Sequence, residues 1–340
     1  MRRTTQWLRH RFAPSALILL YHRVAELPLD PQLLCVTPRH FSEHLEVLRR
    51  YARPMRLQEL TQALRDGNLP RQGVVVTLDD GYADNFHAAK PLLEHFDIPA
   101  TVFIASGYLG RQCEFWWDEL ERLLLQPGTL PKKLCLSVNG NPYQWELGEA
   151  SHYSEKAHRR HHGWNVLQED TPSLRHHLYR SLYRMLLPLP EHKRRKVLNE
   201  VIAWAGAESM GRGMHRALSP HEVCWLAEGG LVEVGAHTMT HPVLAVLSES
   251  EQRIEISGSK ARLEEILGHP VTSFSYPYGS QSDYTMETAF VVREAGFACA
   301  CSNFAELVWR DSDRFQLPRV VVRDWDGEEF ARRLWEWFHN

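Results

Sequence analysis

The sequence predicts an α/β fold built on a parallel sheet, and three observations support this. Apolar runs at 17–21 and 74–78 are short, continuous and rich in branched residues, as in strands covered on both faces. Such runs alternate along the chain with amphipathic helical patterns. The helical patterns also carry start signals, such as Thr37 before a proline and the capping pair Ser219 and Glu222. A strand–helix alternation of this kind predicts parallel strands joined by crossover helices.

The predicted elements follow in a regular order. The predicted strands cover 17–21, 74–78, 100–105, 231–235, 271–276, 296–300 and 320–323. The predicted helices begin after Thr37 and Ser219 and also cover 88–96, 249–267, 284–295 and 328–338. Between the two halves lies a stretch rich in tryptophan, leucine and histidine at about 111–215, which reads as mostly helical near 173–187 and 191–205. We therefore predict a leader at 1–14, one domain over 15–325 with an insertion at about 111–215, and a C-terminal helix at 326–340.

Composition narrows the class of protein. Hydrophobic residues make up 44% and charged residues 24%, which excludes a disordered or fibrous chain. A formal net charge of -3 gives no electrostatic case for a nucleic-acid partner. The six cysteines lack CxxC spacing, so we expect reduced cysteines and a cytoplasmic protein.

The N-terminal segment leaves two interpretations open. The apolar run at 16–21 is too short for a signal-peptide core or a membrane span. Before it, Trp7, Leu8 and Phe12 stand among arginines and histidines. This segment is either a solvated leader or a helix lying on a surface, which would bring peripheral membrane contact.

Two adjacent carboxylates mark the end of the strand at 74–78. Asp79 and Asp80 follow it directly and precede Gly81. Like charges this close resist joint ionisation unless a cation neutralises one of them. In parallel α/β folds the carboxyl ends of the strands are also where active sites form. The structural alternative is an aspartate helix cap followed by an Asp-Gly turn.

A histidine pair follows another strand, at 231–235. His237 and His241 have i, i+4 spacing, which presents both imidazoles on one face of a helical turn. Taken alone, the pair could equally be a surface feature. Together with the aspartates at a corresponding strand end, it predicts a divalent cation bound by two neutral imidazoles and one carboxylate. The second carboxylate is then free to act as a general base.

A third strand end carries the sequence F-S-Y-P-Y-G at 274–279. A Pro-Tyr-Gly turn can point backbone N–H groups at a developing oxyanion, while an aromatic ring packs beside a sugar. The alternative is an ordinary tight turn.

At these residues the chain resembles the polysaccharide deacetylase family, the NodB-homology or carbohydrate esterase family 4 group. The family motif T-F-D-D-G is T-L-D-D-G at 77–81, and H-[ST]-x-x-H is found at 237–241. The third motif, R-x-P-Y, aligns with 275–278, and the late Leu-x-His motif aligns with 317–319. The start L-Y-H-R-V and the F-x-Y-P-Y-G segment resemble one bacterial subgroup. The resemblance spans about 15–325 without the insertion.

The resemblance implies an incomplete (β/α)7 barrel with the site at the carboxyl ends of its strands. It also implies that Asp80, His237 and His241 bind one divalent metal, zinc first, with cobalt, nickel or manganese as alternatives. Asp79 is then the base, and the Tyr278 backbone N–H helps to hold the oxyanion in the turn that begins at Pro277. The implied reaction is hydrolysis of the acetamide of an N-acetylated amino sugar.

Two positions depart from the family pattern. The third-motif arginine, which usually orients the base, is Ser275, and the histidine of the Leu-x-His motif, usually the acid, is Arg319. An arginine stays charged near neutral pH and cannot serve as that acid. We therefore expect Arg319 to replace the missing arginine by pairing with Asp79 from a different strand. His22, at the end of the first strand, is then a candidate acid or substrate ligand, with core packing as the alternative.

Aromatic residues supply candidate sugar contacts. Tyr276 lies in the third motif, and Trp116 and Trp117 begin the insertion. Tryptophan stacks on sugar faces, so we take Trp117 as a candidate wall of the cleft and one of the two tryptophans as core.

The sequence leaves more than one substrate class and more than one function open. The missing export signal favours a lipid- or nucleotide-linked glycan precursor over a cell-wall polymer. The rival functions are hydrolysis of a non-sugar amide on the same scaffold and binding of a sugar without catalysis.

Overall fold

A computed structural model of the protein describes residues 14–208 and 210–339. Its described residues form two compact units. The first, here called the sheet unit, takes the described residues up to Glu26, Leu34–Leu109 and those from Leu218 onward. The second, the insertion unit, takes Leu27–Leu33 and Gly110–Ala217. The sequence analysis places the insertion at about 111–215, and the insertion unit also includes the short stretch at 27–33. Almost all of the predicted leader, 1–13, lies outside the described residues.

The described elements are numbered in chain order. The strands are β1 (Ala16–Tyr21), β2 (Arg23–Val24), β3 (Cys35–Val36), β4 (Arg53–Pro54), β5 (Gly73–Leu78), β6 (Ala100–Ile104), β7 (Gly128–Thr129), β8 (Lys133–Val138), β9 (Asn141–Glu146), β10 (His152–Tyr153), β11 (Val232–Ala236), β12 (Ser273–Ser275), β13 (Cys299–Cys301) and β14 (Val320–Val321). The α-helices are α1 (Pro38–Tyr51), α2 (Leu57–Asp66), α3 (Lys90–Phe96), α4 (Trp116–Leu124), α5 (Glu155–His161), α6 (Leu174–Leu186), α7 (Glu191–Ala205), α8 (Pro220–Ala227), α9 (Glu249–Leu267), α10 (Met286–Glu294) and α11 (Gly327–His339). A π-helical turn, Asn85–Ala89, leads into α3.

The sheet unit is organised around one parallel sheet. Its strands follow the order β13-β12-β11-β6-β5-β1-β14, with the short strand β4 paired to β5. Every neighbouring pair in this order is parallel. A parallel bridge between Cys301 and Leu317 links β13 to the segment that enters β14, so the sheet curls into a half-barrel. The predicted α/β class and barrel-type fold are confirmed.

Strand alternation separates two cores. In β1, Leu17, Leu19 and Tyr21 join a large cluster that also contains the apolar face of α1. Ala16 and Ile18 point to the other face of the sheet and join a smaller inner cluster. Each large apolar side chain buried in this way stabilises the fold by about 1.5–3 kcal/mol. The continuous apolar runs therefore mark strands covered on both faces, as predicted.

The start signals of the helices are confirmed. Thr37 caps α1 by accepting a hydrogen bond from the His40 N–H, and Ser219 and Glu222 form the capping box of α8. The predicted range 249–267 matches α9 in full. The C-terminal helix is more closely tied to the sheet unit than predicted, because Phe330 and Leu334 lie in its main core.

The insertion unit is largely helical, as predicted, and it also contains strands that the sequence analysis did not predict. Besides α4 to α7 it contains an antiparallel hairpin in which β8 pairs with β9. The turn between them is Asn139-Gly140, both with positive φ (51° and 82°), the residue pair that two-residue hairpin turns favour. Buried and exposed residues alternate along β8, and the buried ones are the leucines and the valine of K-L-C-L-S-V. This alternation in the sequence could have predicted the strand. Among all described helices, none is long and apolar enough to cross a membrane.

Candidate active site

The two aspartates lie where β5 ends. The Asp79 N–H donates to the Tyr21 carbonyl (2.9 Å), which continues the ladder between β5 and β1 by one residue. Asp79 therefore shares the inner face of the sheet with Val75 and Thr77. Asp80 then takes a positive φ of 75° and turns the chain sharply. Both side chains are buried, which is unusual for aspartate.

Arg319 meets Asp79 in this buried space. Its Nη1 and Nη2 donate to the two carboxylate oxygens of Asp79 at 2.7 and 2.6 Å. Nη2 also donates to the Ser275 hydroxyl (2.8 Å), Nη1 to the Thr77 hydroxyl (3.2 Å) and Nε to the Ser302 carbonyl (2.8 Å). The guanidinium is 1% exposed, so these partners replace its water shell. The pairing that we expected from the sequence is present.

This pairing keeps Asp79 ionised. Burial alone would raise the pKa of Asp79, but the adjacent Arg319 guanidinium outweighs it, and the pKa falls to about 2. The Ser275 hydroxyl also donates to Asp79 Oδ2 (3.1 Å). Ser275 occupies the position of the family's third-motif arginine, and its hydroxyl links Asp79 to Arg319 by hydrogen bonds to both.

The two histidines lie in a loop after β11 that we call the histidine loop, residues 237–241. Contrary to our expectation of a helical turn, Thr238 and His241 have positive φ (63° and 54°), so the loop is not helical. The Thr238 hydroxyl accepts a hydrogen bond from the His241 N–H (3.0 Å) and closes the loop. The two imidazoles still meet, with ring centroids 4.8 Å apart.

The hydrogen bonds of His237 set its tautomer. Its Nδ1 lies 2.7 Å from the Ser275 carbonyl, which can only accept, so Nδ1 carries the proton. The lone pair on Nε2 then faces Asp80, whose Oδ1 is 3.6 Å away. Burial lowers the pKa of His237 to about 4, which leaves the ring neutral at pH 7. His241 Nε2 lies 3.3 Å from the same oxygen.

These residues fit a divalent metal ion. One ligand atom each from Asp80, His237 and His241 lie within 4.8 Å of one another, and all three side chains are buried. One carboxylate and two neutral imidazoles form a donor set suited to zinc, and a carbonyl that orients the far nitrogen of a ligand histidine is usual at such sites. Two carboxylates against one guanidinium also leave a net negative charge, which favours a cation.

The remaining predicted residues surround this cluster. His22 is half-buried at the end of β1, and its carbonyl accepts from Asn85 Nδ2 (2.8 Å). Burial lowers the pKa of His22, and the charges of Asp80 and Asp79 act on it in the opposite direction. The Tyr278 ring lies edge-on to His241 (4.7 Å), in a turn where the residue has a φ of 59°. Pro277 is buried in this turn.

Two predicted sugar contacts are wrong. Tyr276 stacks on Tyr284 (3.9 Å) in the outer core, and its hydroxyl donates to the Phe315 carbonyl. It shares the outer face with Phe274 because side chains alternate along β12. Trp117 is only 4% exposed and stacks on Phe115 (4.9 Å) within the insertion unit, and Trp116 is also buried. Neither Tyr276 nor Trp117 offers a ring face to a sugar.

Known proteins match the chain in both sequence and fold. A family model for polysaccharide deacetylases matches residues 66–128 and 197–300. Poly-beta-1,6-N-acetyl-D-glucosamine N-deacetylase of Staphylococcus aureus (strain MSSA476) is 27% identical over 111 residues, 29% of this chain and 38% of that protein. The chain spans 38 to 42% of the length of the curated relatives it matches.

Two solved structures share the fold over nearly the whole chain. Streptococcus pyogenes deacetylase PplD in complex with acetate matches with a TM-score of 0.58 at 16% identity, covering 95% of this chain and 99% of PplD. IcaB from Ammonifex degensii matches with a TM-score of 0.58 at 19% identity, covering 96% and 98%. The curled parallel sheet, the motif residues at its strand ends and the matching family model agree: this chain belongs to the polysaccharide deacetylase family.

Proposed function

We propose that this protein is a metal-dependent hydrolase that removes N-acetyl groups from an amino sugar of a polysaccharide or glycan precursor. The observation that carries the proposal is the buried Arg319–Asp79 pair beside the donor set of Asp80, His237 and His241. This arrangement provides an ionised base next to a cation site. The names of a Staphylococcus aureus N-deacetylase and of an acetate complex of PplD support N-acetylated saccharides as the substrate class.

The proposed mechanism assigns a separate task to each residue. Asp80, His237 and His241 hold one divalent ion, zinc first and cobalt, nickel or manganese otherwise, which supplies Lewis-acid polarisation of the acetamide carbonyl and a more acidic water. Asp79 takes the proton of the attacking water. Arg319 holds both oxygens of Asp79 in one orientation, and the Tyr278 backbone N–H donates to the developing oxyanion.

The proton donor is a separate part of the proposal. Arg319 is paired and charged, so it cannot protonate the leaving amine. We assign His22 to the leaving group, as acid or as substrate ligand, because Tyr21 pairs with Leu78 in the sheet and the next residues along the two strands, His22 and Asp79, therefore lie at the same strand end. Deacetylation rates of His22→Ala and Arg319→Ala, with metal occupancy checked, test this step. Near-wild-type rates for both would contradict it.

The sequence-based predictions about cellular context remain predictions. They are a lipid- or nucleotide-linked saccharide, a cytoplasmic location and membrane contact by residues 1–12, a segment outside the described residues.

The direct test is acetate release from a substrate panel. Zinc- or cobalt-loaded protein is incubated with β-1,6- and β-1,4-linked N-acetylglucosamine oligomers and, separately, with small cyclic amides. We expect acetate and free amine from at least one oligomer, and loss of both in Asp79→Asn and Asp80→Asn. Asp66→Asn, a change at an exposed position of α2, is the matched control. Turnover of cyclic amides alone would indicate the rival amidohydrolase, and oligomer binding without turnover a silent binding protein.

A further inference from the structure

We infer that Glu255 is a positioning residue that holds the histidine loop in its metal-binding shape. Glu255 lies on α9 and is not part of any motif described above. The inference rests on the proposed metal site of Asp80, His237 and His241. It concerns the backbone between the two histidines.

The Glu255 carboxylate binds the centre of the histidine loop. Its Oε2 accepts hydrogen bonds from the backbone N–H groups of Met239 and Thr240, both at 2.8 Å. Its Oε1 accepts from the Thr240 hydroxyl at 2.6 Å. One side chain therefore receives three hydrogen bonds from two consecutive residues that lie between the ligands.

The shape of the loop explains why it needs this acceptor. Positive φ at Thr238 and His241 removes the loop from the helical region, so the N–H groups at 239 and 240 have no helical carbonyl partner. Met239 and Thr240 are half-buried, so an N–H there that loses its acceptor is only partly hydrated, and a carboxylate is a stronger acceptor than a neutral group. Without Glu255, these N–H groups would find hydrogen-bond partners only if the loop moved toward solvent. That movement would separate the two imidazoles.

The opposite side of the loop is held by the end of β6. The carbonyls of Thr238 and Met239 accept from the N–H groups of Ser106 (3.0 Å) and Gly107 (2.8 Å). A Cβ at Gly107 would lie 2.4 Å from the Met239 oxygen, so only glycine allows this approach. The loop is therefore fixed between two elements, and on the α9 side the Glu255 carboxylate accepts three hydrogen bonds from it.

The neighbouring residues of α9 form a matching surface. Gly258 lies three positions after Glu255, and a Cβ there would lie 3.4 Å from the Met239 side chain. Ser259 lies four positions after it, and its hydroxyl is 3.2 Å from that of Ser106. Positions i, i+3 and i+4 share one helix face, so α9 presents this face to the loop and its β6 support.

The test compares two glutamates of the same helix. Glu251 accepts from the Ser248 N–H and hydroxyl in the capping box of α9 (2.8 and 2.6 Å). Glu251→Ala is therefore the matched control for a general loss of α9 stability. Zinc affinity is measured by chelator competition, and the melting temperature of the metal-free protein is measured alongside. We expect Glu255→Ala to weaken zinc binding about ten- to one-hundred-fold. Glu251→Ala should lower the melting temperature and leave zinc affinity unchanged.

A conservative variant and a metal-independent measurement complete the test. Glu255→Gln keeps an acceptor oxygen and should restore most of the zinc affinity, which a merely destabilised variant would not do. Hydrogen exchange at the Met239 and Thr240 amides of the metal-free protein should be faster in Glu255→Ala and near wild type in Glu251→Ala. Zinc affinity within twofold of wild type together with unchanged exchange would overturn the inference. If wild-type protein bound no zinc, the proposed metal site would fail, and amide exchange alone would decide the role of Glu255.

Discussion

Arg319 donates one hydrogen bond to each carboxylate oxygen of Asp79, at 2.7 and 2.6 Å, across 240 residues of chain. Asp79 follows β5 and Arg319 precedes β14, and β1 lies between these two strands in the sheet. The pair therefore reaches across one strand on the inner face. Arg319 occupies the position where the family pattern has a histidine. Its side chain orients Asp79, which in the family pattern is oriented by the third-motif arginine.

The stability of this pair can be measured by a double-mutant cycle. Arg319→Met leaves a buried carboxylate without its cation, and we expect it to lower the free energy of unfolding by about 3–5 kcal/mol. Asp79→Asn combined with Arg319→Met removes both charges and should recover most of that loss. Urea unfolding of the metal-free proteins measures all four corners of the cycle. A double mutant no more stable than Arg319→Met alone would show that the two charges are not coupled.

Metal binding should appear as thermal stabilisation. An ion that binds only the folded state at about 100 times its Kd adds about 2.7 kcal/mol to the free energy of unfolding. Zinc should therefore raise the melting temperature of the wild type, and a chelator should reverse the rise. His241→Ala and Asp80→Asn remove a ligand and should lose this response, whereas His221→Ala, at an exposed position of α8, should keep it. An unchanged zinc response in His241→Ala would remove that residue from the metal site.

Gly235 of β11 leaves space for the Phe103 ring, which packs next to Arg319. A Cβ at this position would lie 2.4 Å from the buried Phe103 ring and 2.8 Å from the Ser273 hydroxyl. The Phe103 ring is 5.6 Å from the Arg319 guanidinium carbon, so it supports the Asp79 pair. We expect Gly235→Ala to destabilise the protein by about 1–3 kcal/mol, the usual effect of overpacking, and to reduce deacetylation.

Gly258→Ala is the matched comparison for Gly235→Ala. Its Cβ would lie at an ordinary contact distance of 3.4 Å, inside α9, where alanine is favoured over glycine by about 0.5–1 kcal/mol. Urea unfolding should therefore shift in opposite directions for the two variants. A shift in the same direction would contradict the steric explanation.

His44 should make stability depend on pH. It is fully buried on α1, where Nε2 donates to the Trp325 carbonyl (2.7 Å) and Nδ1 accepts from the Tyr21 hydroxyl (3.3 Å). Burial lowers the pKa of His44 to about 4, below its ordinary value of 6.5. Because the unfolded state then binds the proton more readily, this contribution to stability is present above pH 6.5 and is lost as pH falls toward 4.

Variants of His44 provide the measurement. We expect His44→Gln, which can keep both hydrogen bonds, to flatten the fall in unfolding free energy between pH 6.5 and 4. The fall in unfolding free energy over this pH range should become smaller in His44→Gln by an amount on the order of 3 kcal/mol. His95→Gln, at an exposed position of α3, should leave the pH dependence unchanged. Parallel pH profiles for wild type and His44→Gln would rule out His44 as the source.

Local patterns in the sequence were sufficient to predict the fold class and to single out the residues of the proposed metal site. The apolar runs identified β1 and β5, and Asp79, Asp80, His237 and His241 follow strands whose carboxyl ends meet in a parallel sheet. The fold class and the closeness of these side chains could be predicted because both depend on strand periodicity and on residues adjacent to a strand end. The Asn139-Gly140 turn carried a similar local signal for the hairpin of the insertion unit.

Only the tertiary structure decided which side chains meet. Neighbours in the sheet bring Arg319 to Asp79, and strand alternation turns Tyr276 into the outer core and Ser275 into the site. Packing within the insertion unit buries Trp117. The histidine loop is not helical although its spacing suggested a helix, because hydrogen bonds from distant residues such as Glu255 outweigh the preference of five residues. A contact between residues far apart in the chain depends on strand order and side-chain direction, and neither can be read from the residues themselves.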